Sequence, residues 1–188
     1  MRAIVTGQIG VDKKPYLSGA ANLAGERGEN IELFNVGDMM YAEAPDVRPG
    51  RILDLPLSRL NSLRRAAFKD AIMESKDKEN VIVNTHATFR WRHGLFSAFD
   101  FDQIRALAPE LFICLVDNVE VVHQRLHQEH IVDATLKDCM VWREEEILAT
   151  TNYDDDAADS REIATEILEE GPTRMPPKQQ VEDIADDE

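Results

Sequence analysis

Residues 7–14, which read GQIGVDKK, have the residue types and nearly the spacing of a phosphate-binding loop. Such a loop follows the pattern G-x-x-x-x-G-K-[S/T], and its backbone amides surround phosphate groups at the amino end of a helix. Gly7 and Lys13 match the pattern, but Asp12 replaces its second glycine and Lys14 replaces the hydroxyl that ligates magnesium. The stretch therefore predicts either a loop that holds a nucleotide or a degenerate loop that binds nothing.

Asp12 and Lys14 change the chemistry of this loop together. Aspartate tolerates left-handed backbone geometry better than most residues, so we expect the turn to survive. Its carboxylate repels a triphosphate unless a cation lies between them, and Lys14 is the obvious candidate. We expect Lys14 to neutralise phosphate charge directly and to replace the metal in part, which leaves the need for Mg²⁺ open.

Alternating strands and helices are predicted to position this loop. Apolar runs predict four strands, at residues 2–7, 31–34, around 81–83 and 111–116. Helical patterns occupy residues 16–26, 57–76, 101–108, 119–130 and 136–149, with a short helix at 39–44 capped by Asp38. Residues 89–102 are interpreted as irregular. This order predicts an α/β fold with a P-loop NTPase-type parallel sheet of about four strands flanked by helices.

Three polar segments fall where the predicted strands end. They are residues 7–14, 35–38 and 84–86. Ligands of parallel sheets bind at the carboxyl ends of the strands, so these segments are expected to meet in one site. This convergence carries more weight than any single motif.

The negative charge lies mainly in the last part of the chain. The net charge is −15, and the last 38 residues contain 13 acidic and three basic residues. We interpret residues 1–150 as one domain, 151–170 as an acidic helical extension and 171–188 as a disordered acidic tail. The charge excludes a broad nucleic-acid surface, and a halophilic habitat or a partner-binding arm both explain the acidity. No stretch of 18 apolar residues occurs and the two cysteines are scattered, so we expect a cytoplasmic protein without a membrane segment.

Taken together, these residues resemble the P-loop nucleoside-monophosphate kinases, and most of all the archaeal-type adenylate kinases. Gly7, Gly10 and Lys13 match the family's loop. Residues 37–40 match a G-D-x-M segment after the second strand, and residues 84–88 match a D-T-H-[S/A]-T segment after the third. The resemblance spans about residues 1–145, with a lid region at about 126–142.

The resemblance implies transfer of the γ-phosphoryl group of ATP to a (deoxy)nucleoside monophosphate. The residues it implies for catalysis are Lys13, Arg125 and Arg143. Those it implies for holding the phosphates of ATP are Gly7, Gly10, Asp12, Lys13 and Lys14. Those it implies for the acceptor nucleotide are Asp38, Met39, His86, Arg90 and Arg92.

Departures from the family pattern support a second interpretation, a catalytically dead pseudokinase that senses nucleotide or serves as a subunit of a complex. Lys14 and Asn84 stand where two groups that help to hold magnesium are expected. No apolar fifth strand is evident after Trp142. We therefore expect weak or absent kinase activity with nucleotide binding retained, and a protein partner or a homo-oligomer. An accessory factor in RNA processing is a third possibility.

Several of these residues also have plain structural interpretations. Asp38 suits a helix cap, His86 a buried hydrogen-bonded histidine, and the run of glutamates at 144–146 a solvated helical face. His123, His127 and His130 have a spacing that can ligate a metal, but we favour a solvated helix and predict no metal site. We expect the aromatic residues between 89 and 101 to pack against the domain or a protein partner rather than to stack on RNA.

Overall fold

The computed structural model describes residues 1–91, 94–129, 132–157 and 162–164. Its main sheet contains β1 (Arg2–Thr6), β2 (Ile31–Asn35), β3 (Asn80–Asn84) and β6 (Leu111–Cys114), all parallel, in the order β2-β3-β1-β6. This confirms the predicted α/β fold with a parallel sheet of about four strands. Within the described residues, no helix combines the length and apolar character needed to cross a bilayer.

Both faces of the sheet are covered by helices, which explains why apolar residues occupy the middle of its strands. Successive side chains of β1 point to opposite faces. Ile4 packs in the larger core with Phe68, whereas Val5 packs in a second core with Leu17. The central strand is therefore fully buried, and its carboxyl end is held at a fixed place beneath the loop that follows it.

Six α-helices surround the sheet in the described part of the chain. Their bounds are α1 Lys13–Glu26, α2 Val36–Ala42, α3 Leu57–Glu74, α4 Phe101–Leu107, α5 Val119–Gln128 and α6 Leu136–Ala157, with a 3₁₀ turn at Ile52–Asp54. The side chains of Asp100 and Asn118 accept amide hydrogen bonds at the amino ends of α4 and α5. The expected cap at Asp38 is wrong, because α2 begins at Val36 and Asp38 lies in its first turn.

The segment interpreted as irregular contains an antiparallel hairpin instead. Its strands are β4 (Thr88–Trp91) and β5 (Gly94–Ser97), and Phe89 pairs directly with Phe96. The two rings lie 5.9 Å apart, which is a stabilising cross-strand contact. The prediction missed the hairpin because each strand has only four residues and lacks a clear apolar alternation.

The region after α6 also differs from the prediction. α6 continues to Ala157, and the short strand β7 (Glu162–Ala164) pairs with β6 in parallel, inside the segment expected to be helical. The main sheet therefore has a fifth strand, β7, after Trp142, contrary to the prediction that none would follow. The sequence concealed it, since three residues with one large apolar side chain give almost no strand signal. The predicted tail at 171–188 lies outside the described residues.

Candidate nucleotide-binding site

A cleft of about 440 Å³ lies at the carboxyl ends of β1, β2 and β3. The three polar segments predicted to converge all contribute to its wall. Five residues assigned to the site line it directly, namely Gly10, Asp12, Lys13, Lys14 and His86. The side chain of Arg90 and the whole of Arg92 lie outside the described part of the structure. The cleft is the place where a ligand of this sheet is expected.

Two glycines fix the course of the loop between β1 and α1. Gly7 has φ +152°, and a Cβ atom there would lie 2.6 Å from the carbonyl oxygen of Leu115. Gly10 has φ +89°, and a Cβ atom there would lie 2.9 Å from the side chain of Leu126. Both positions therefore require glycine, because L side chains rarely adopt these angles and no room exists for them.

Asp12 does not need the left-handed geometry expected of it. Its φ of −81° and ψ of 74° form a three-residue turn, in which the amide of Lys13 donates to the carbonyl oxygen of Val11 at 2.9 Å. Its side chain does not cap α1. A phosphate oxygen would have to compete with Val11 for the Lys13 amide, so the loop must open slightly to use all of its donors.

Lys13 is buried and points back onto the loop. Its side chain is 6% exposed, and Nζ donates to the carbonyl oxygen of Gly7 at 2.9 Å. Burial lowers the pKa of Lys13 to about 8, while the carboxylate of Glu146 opposes this shift. Lys13 therefore remains mainly protonated at neutral pH and keeps a positive charge for an anionic ligand.

His86 binds the same carbonyl oxygen. Its Nδ1 lies 2.6 Å from the oxygen of Gly7, and because a carbonyl only accepts, Nδ1 carries the proton. Loss of water around the ring, and next the charge of Lys13, hold the pKa of His86 well below its usual value. His86 is neutral, so its Nε2 is an acceptor. The hydrogen-bonded histidine considered from the sequence is present, and it also lines the cleft.

Lys14 and Asp38 form an ion pair between the loop and α2. Lys14 Nζ lies 2.5 Å from Asp38 Oδ1, and each side chain is about half exposed, at 54% and 55%. Lys14 is thus held by Asp38, not by Asp12. Met39 packs against the core, and its neighbour Met40 lines the cleft.

The two arginines assigned to catalysis lie in different surroundings. Arg125 Nη1 donates to the carbonyl oxygen of Gly10 at 2.5 Å and lies 3.5 Å from Asp117. Arg143 pairs with Glu144 on α6 at 3.0 Å and does not line the cleft. In this conformation Arg125 supports the loop, and Arg143 stands away from it.

Three buried polar residues at the site were not recognised from the sequence. Glu146 is 1% exposed, so the expected solvated face at 144–146 is wrong for this residue. Cys139, Trp142 and Glu146 follow one another at helical steps of three and four residues, and that period was the signal for the burial of Glu146. Arg64 donates to Thr85 Oγ1 and to the carbonyl of His86, at 3.0 and 3.1 Å.

Gln8 is the third of them, and it has an unusual environment. It is 4% exposed, and neither side-chain atom has a hydrogen-bond partner among the described residues. Asn84 Oδ1 also has no hydrogen-bond partner among the described residues, although Asn84 Nδ2 donates to Asn35 Oδ1 at 2.8 Å. Both side chains line the cleft. Because buried polar groups are normally paired, these atoms indicate a site for a polar ligand or for ordered water.

The loop and β3 offer a magnesium ion few ligands. The ammonium group of Lys14 cannot ligate a metal, and Asn84 offers only a neutral amide oxygen where a charged carboxylate oxygen would hold the ion more strongly. The described residues contain no group of three or more His, Cys, Asp or Glu side chains that is placed to hold a metal. His123 and His127 lie on α5, and His130 lies outside the described residues.

The parallel sheet, the glycine loop before α1 and the buried lysine define a P-loop nucleotide-binding protein of the kinase-like class. The chain belongs to the family described as AAA domain, whose model matches residues 6–143. It is 31% identical over 132 residues to the adenylate kinase of Pyrococcus furiosus. That match covers 65% of this chain and 63% of the relative, so it spans less than two thirds of the relative's length.

Two crystal structures share the fold. A gluconokinase from Sinorhizobium meliloti has a TM-score of 0.52 and 14% identity, covering 90% of this chain and 83% of its own. A shikimate kinase from Bacteroides thetaiotaomicron has a TM-score of 0.52 and 12% identity, with coverage of 88% and 86%. At such low identity they establish the fold alone.

Proposed function

We propose that the cleft binds ATP and that the protein transfers its γ-phosphoryl group, slowly, to a nucleoside monophosphate in the cytoplasm. The observation that carries this proposal is the buried, charged Lys13 in a loop shaped by two obligatory glycines. A buried ammonium without an anionic partner is unfavourable. Among the described residues, Lys13 donates to the carbonyl oxygen of Gly7, and the carboxylate of Glu146 acts on it through its charge without an ion-pair contact. Phosphate oxygens would satisfy it.

Phosphate binding would redirect hydrogen bonds that already exist. Lys13 would exchange the carbonyl of Gly7 for the β- and γ-phosphates, and His86 would remain on that carbonyl. Lys14 would exchange Asp38 for phosphate and would supply the positive charge that a metal supplies elsewhere. Gln8 offers a buried amide donor to the same ligand. Arg125 would steady the transferring group after leaving Gly10.

The apolar part of the cleft lining suits the acceptor base. Among the residues that line the cleft, this part includes Tyr41, Ile52, Leu53, Phe89 and Leu95. Flat apolar walls accommodate a planar base, while Asp38, Met39 and His86, with Arg90 and Arg92, are proposed to provide the contacts to the acceptor.

A pseudokinase is the second candidate, and the Lys14–Asp38 pair favours it. An ammonium tied to a carboxylate at 2.5 Å must be released before it neutralises phosphate. Phosphoryl transfer depends mainly on positioning and charge neutralisation, so a lysine in place of the metal-ligating hydroxyl and a neutral amide in place of the carboxylate are expected to slow it. Removal of one key electrostatic contact commonly reduces a rate by about 10²–10³-fold.

Calorimetric titration with ATP, with and without magnesium, tests the proposal. We expect Lys13→Ala to weaken binding by about 10–100-fold, as expected for loss of a hydrogen bond to a charged group. Lys14→Ser should make binding depend on magnesium, because the charge that replaces the metal is gone. Lys69→Ala is the matched control, since Lys69 is exposed on α3 and far from the loop in sequence.

Formation of ADP from ATP and AMP then separates the two candidates. Binding that requires Lys13, together with slow ADP formation, supports the kinase. Binding without detectable turnover supports the pseudokinase. If the native protein binds no ATP with or without magnesium, the proposed function is wrong in both forms.

A further inference from the structure

Glu146 is a fully buried carboxylate next to the nucleotide loop. It lies on α6, is 1% exposed, and is among the largest fully buried side chains of the protein. A buried charge is strongly unfavourable unless it is paired or hydrogen-bonded. No contact of Glu146 with a cation within ion-pair distance occurs among the described residues. Its hydrogen bonds must therefore account for its presence there.

Those hydrogen bonds come from two separate segments of the chain. Oε1 accepts from the amides of Gly7 and Ala87, at 3.1 and 2.7 Å. Oε2 accepts from the amide and the hydroxyl of Thr88, at 2.9 and 2.7 Å. Three of these partners are backbone amides, which can only donate, so both oxygens of Glu146 act as acceptors, and this arrangement fits the carboxylate form.

A second contact joins α6 to the same place. Thr150 lies one turn after Glu146, and its hydroxyl donates to the carbonyl oxygen of Glu146 at 2.8 Å. The same hydroxyl lies 2.7 Å from the hydroxyl of Thr6. Thr6 is the last residue of β1 and directly precedes Gly7. α6 therefore contacts the start of the loop at two neighbouring points.

We propose that Glu146 is a positioning residue, which fixes Gly7 at the start of the nucleotide loop and joins it to the start of β4. Glycine is the residue with the greatest backbone freedom, so Gly7 needs contacts from outside the loop to hold one conformation. Glu146 holds its amide, while Lys13 and His86 hold its carbonyl. The effect on ATP rests on the proposed function, whereas the effect on Gly7 does not.

Glu146 also acts on Lys13 through its charge. The groups that face Lys13 are Glu146 from α6, His86 after β3, Cys114 from β6 and Asp12 within the loop. Burial is the main cause of the lowered pKa of Lys13, and Glu146 is the largest influence that raises it. A lysine loses its charge as pH rises through its pKa. Without the Glu146 charge, the pKa of Lys13 should fall further. ATP affinity should therefore be lost at a lower pH than in the native protein.

Amide hydrogen exchange without nucleotide tests the positioning role directly. In Glu146→Gln, one oxygen becomes an amide donor that faces the donors of Thr88. We expect exchange at Gly7, Ala87 and Thr88 to accelerate by about 10-fold or more, with core strands unchanged. Glu74→Gln, on an exposed position of α3, is the matched control and should change none of these rates.

Glu146→Asp separates geometry from charge and serves if the glutamine variant does not fold. The aspartate keeps the charge, but its side chain is one methylene shorter. Amide exchange at Gly7, Ala87 and Thr88 should therefore accelerate. The pH at which ATP affinity falls should stay near the native value. Native exchange rates at all three amides in both variants would overturn the proposal. Absence of ATP binding by the native protein would refute the proposed function instead, and the exchange result would still decide the role of Glu146.

Discussion

At the scale of single residues, the site is unusual for the polar atoms that it leaves without partners. The Gln8 side chain is almost fully buried, and both of its polar atoms lack a partner among the described residues. An unsatisfied buried amide costs about 1–3 kcal/mol. A protein retains such a cost at a functional site more readily than elsewhere, because the ligand restores the missing bonds.

Gln8→Leu should therefore stabilise the free protein and weaken ATP binding. Leucine has a similar volume and needs no hydrogen bonds, so we expect the free energy of unfolding to rise by about 1 kcal/mol or more. Denaturant unfolding and calorimetry measure the two effects. Gln124→Leu, on an exposed position of α5, should change neither. A less stable Gln8→Leu protein would indicate that an internal water already satisfies the amide.

At the scale of elements, α5 determines how the loop after β1 can run. The side chains of Val122 and Leu126 fill the space beside Gly10, and Arg125 of the same helix holds the Gly10 carbonyl. The loop and α5 thus form one packed unit, although more than 100 residues separate them in sequence.

Gly10→Ala should break this unit. The new Cβ would lie 2.9 Å from Leu126 at a φ of +89°, so we expect a loss of about 1–3 kcal/mol in the free energy of unfolding and weaker ATP binding. Gly19→Ala in α1 should instead raise the free energy of unfolding, because the new Cβ atom would have no other atom within 4 Å. Alanine stabilises a helix by roughly 0.5–1 kcal/mol relative to glycine. Equal stability of the two variants would show that the loop is not constrained by α5.

How well the sequence predicted the structure differs from one secondary-structure element to another. β1, β3 and β6 were recognised because each has a central run of apolar residues, as buried strands do. The loop was recognised because its glycines and lysine lie within eight residues. The β4–β5 hairpin and β7 were missed because they are short and owe their pairing to tertiary contacts. Glu146 has the helical spacing of a buried residue, but it lies in a run of three glutamates that favours solvent. The amides that hold it, those of Gly7, Ala87 and Thr88, carry no sequence signal that could have outweighed this run.

At the scale of the whole molecule, the cleft joins segments from most of the chain. A ligand that contacts the loop, β3 and α6 at once should stabilise the native state as a unit. A ligand that binds only the native state, at a free concentration of 100 times its Kd, adds about 2.7 kcal/mol to the free energy of unfolding.

Saturating ATP should accordingly raise the thermal unfolding temperature by about 5–10 °C for a chain of this length. Scanning calorimetry with and without ATP measures the shift. Lys13→Ala should abolish most of it, whereas Lys69→Ala should leave it intact. An equal shift in the Lys13→Ala protein would mean that ATP binds outside the cleft.

The strand order has a consequence for synthesis. Ile4 of the central strand pairs with Val83 and Phe112, so β1 must wait for two strands that are made much later. Translation proceeds at about 5–20 residues per second, so the interval before β3 emerges is on the order of ten seconds. During that time the apolar residues Ala3, Ile4 and Val5 of β1 lack both of the strands that later flank them. We therefore expect the strand that later carries the nucleotide loop to be the part of the nascent chain most in need of shielding from aggregation.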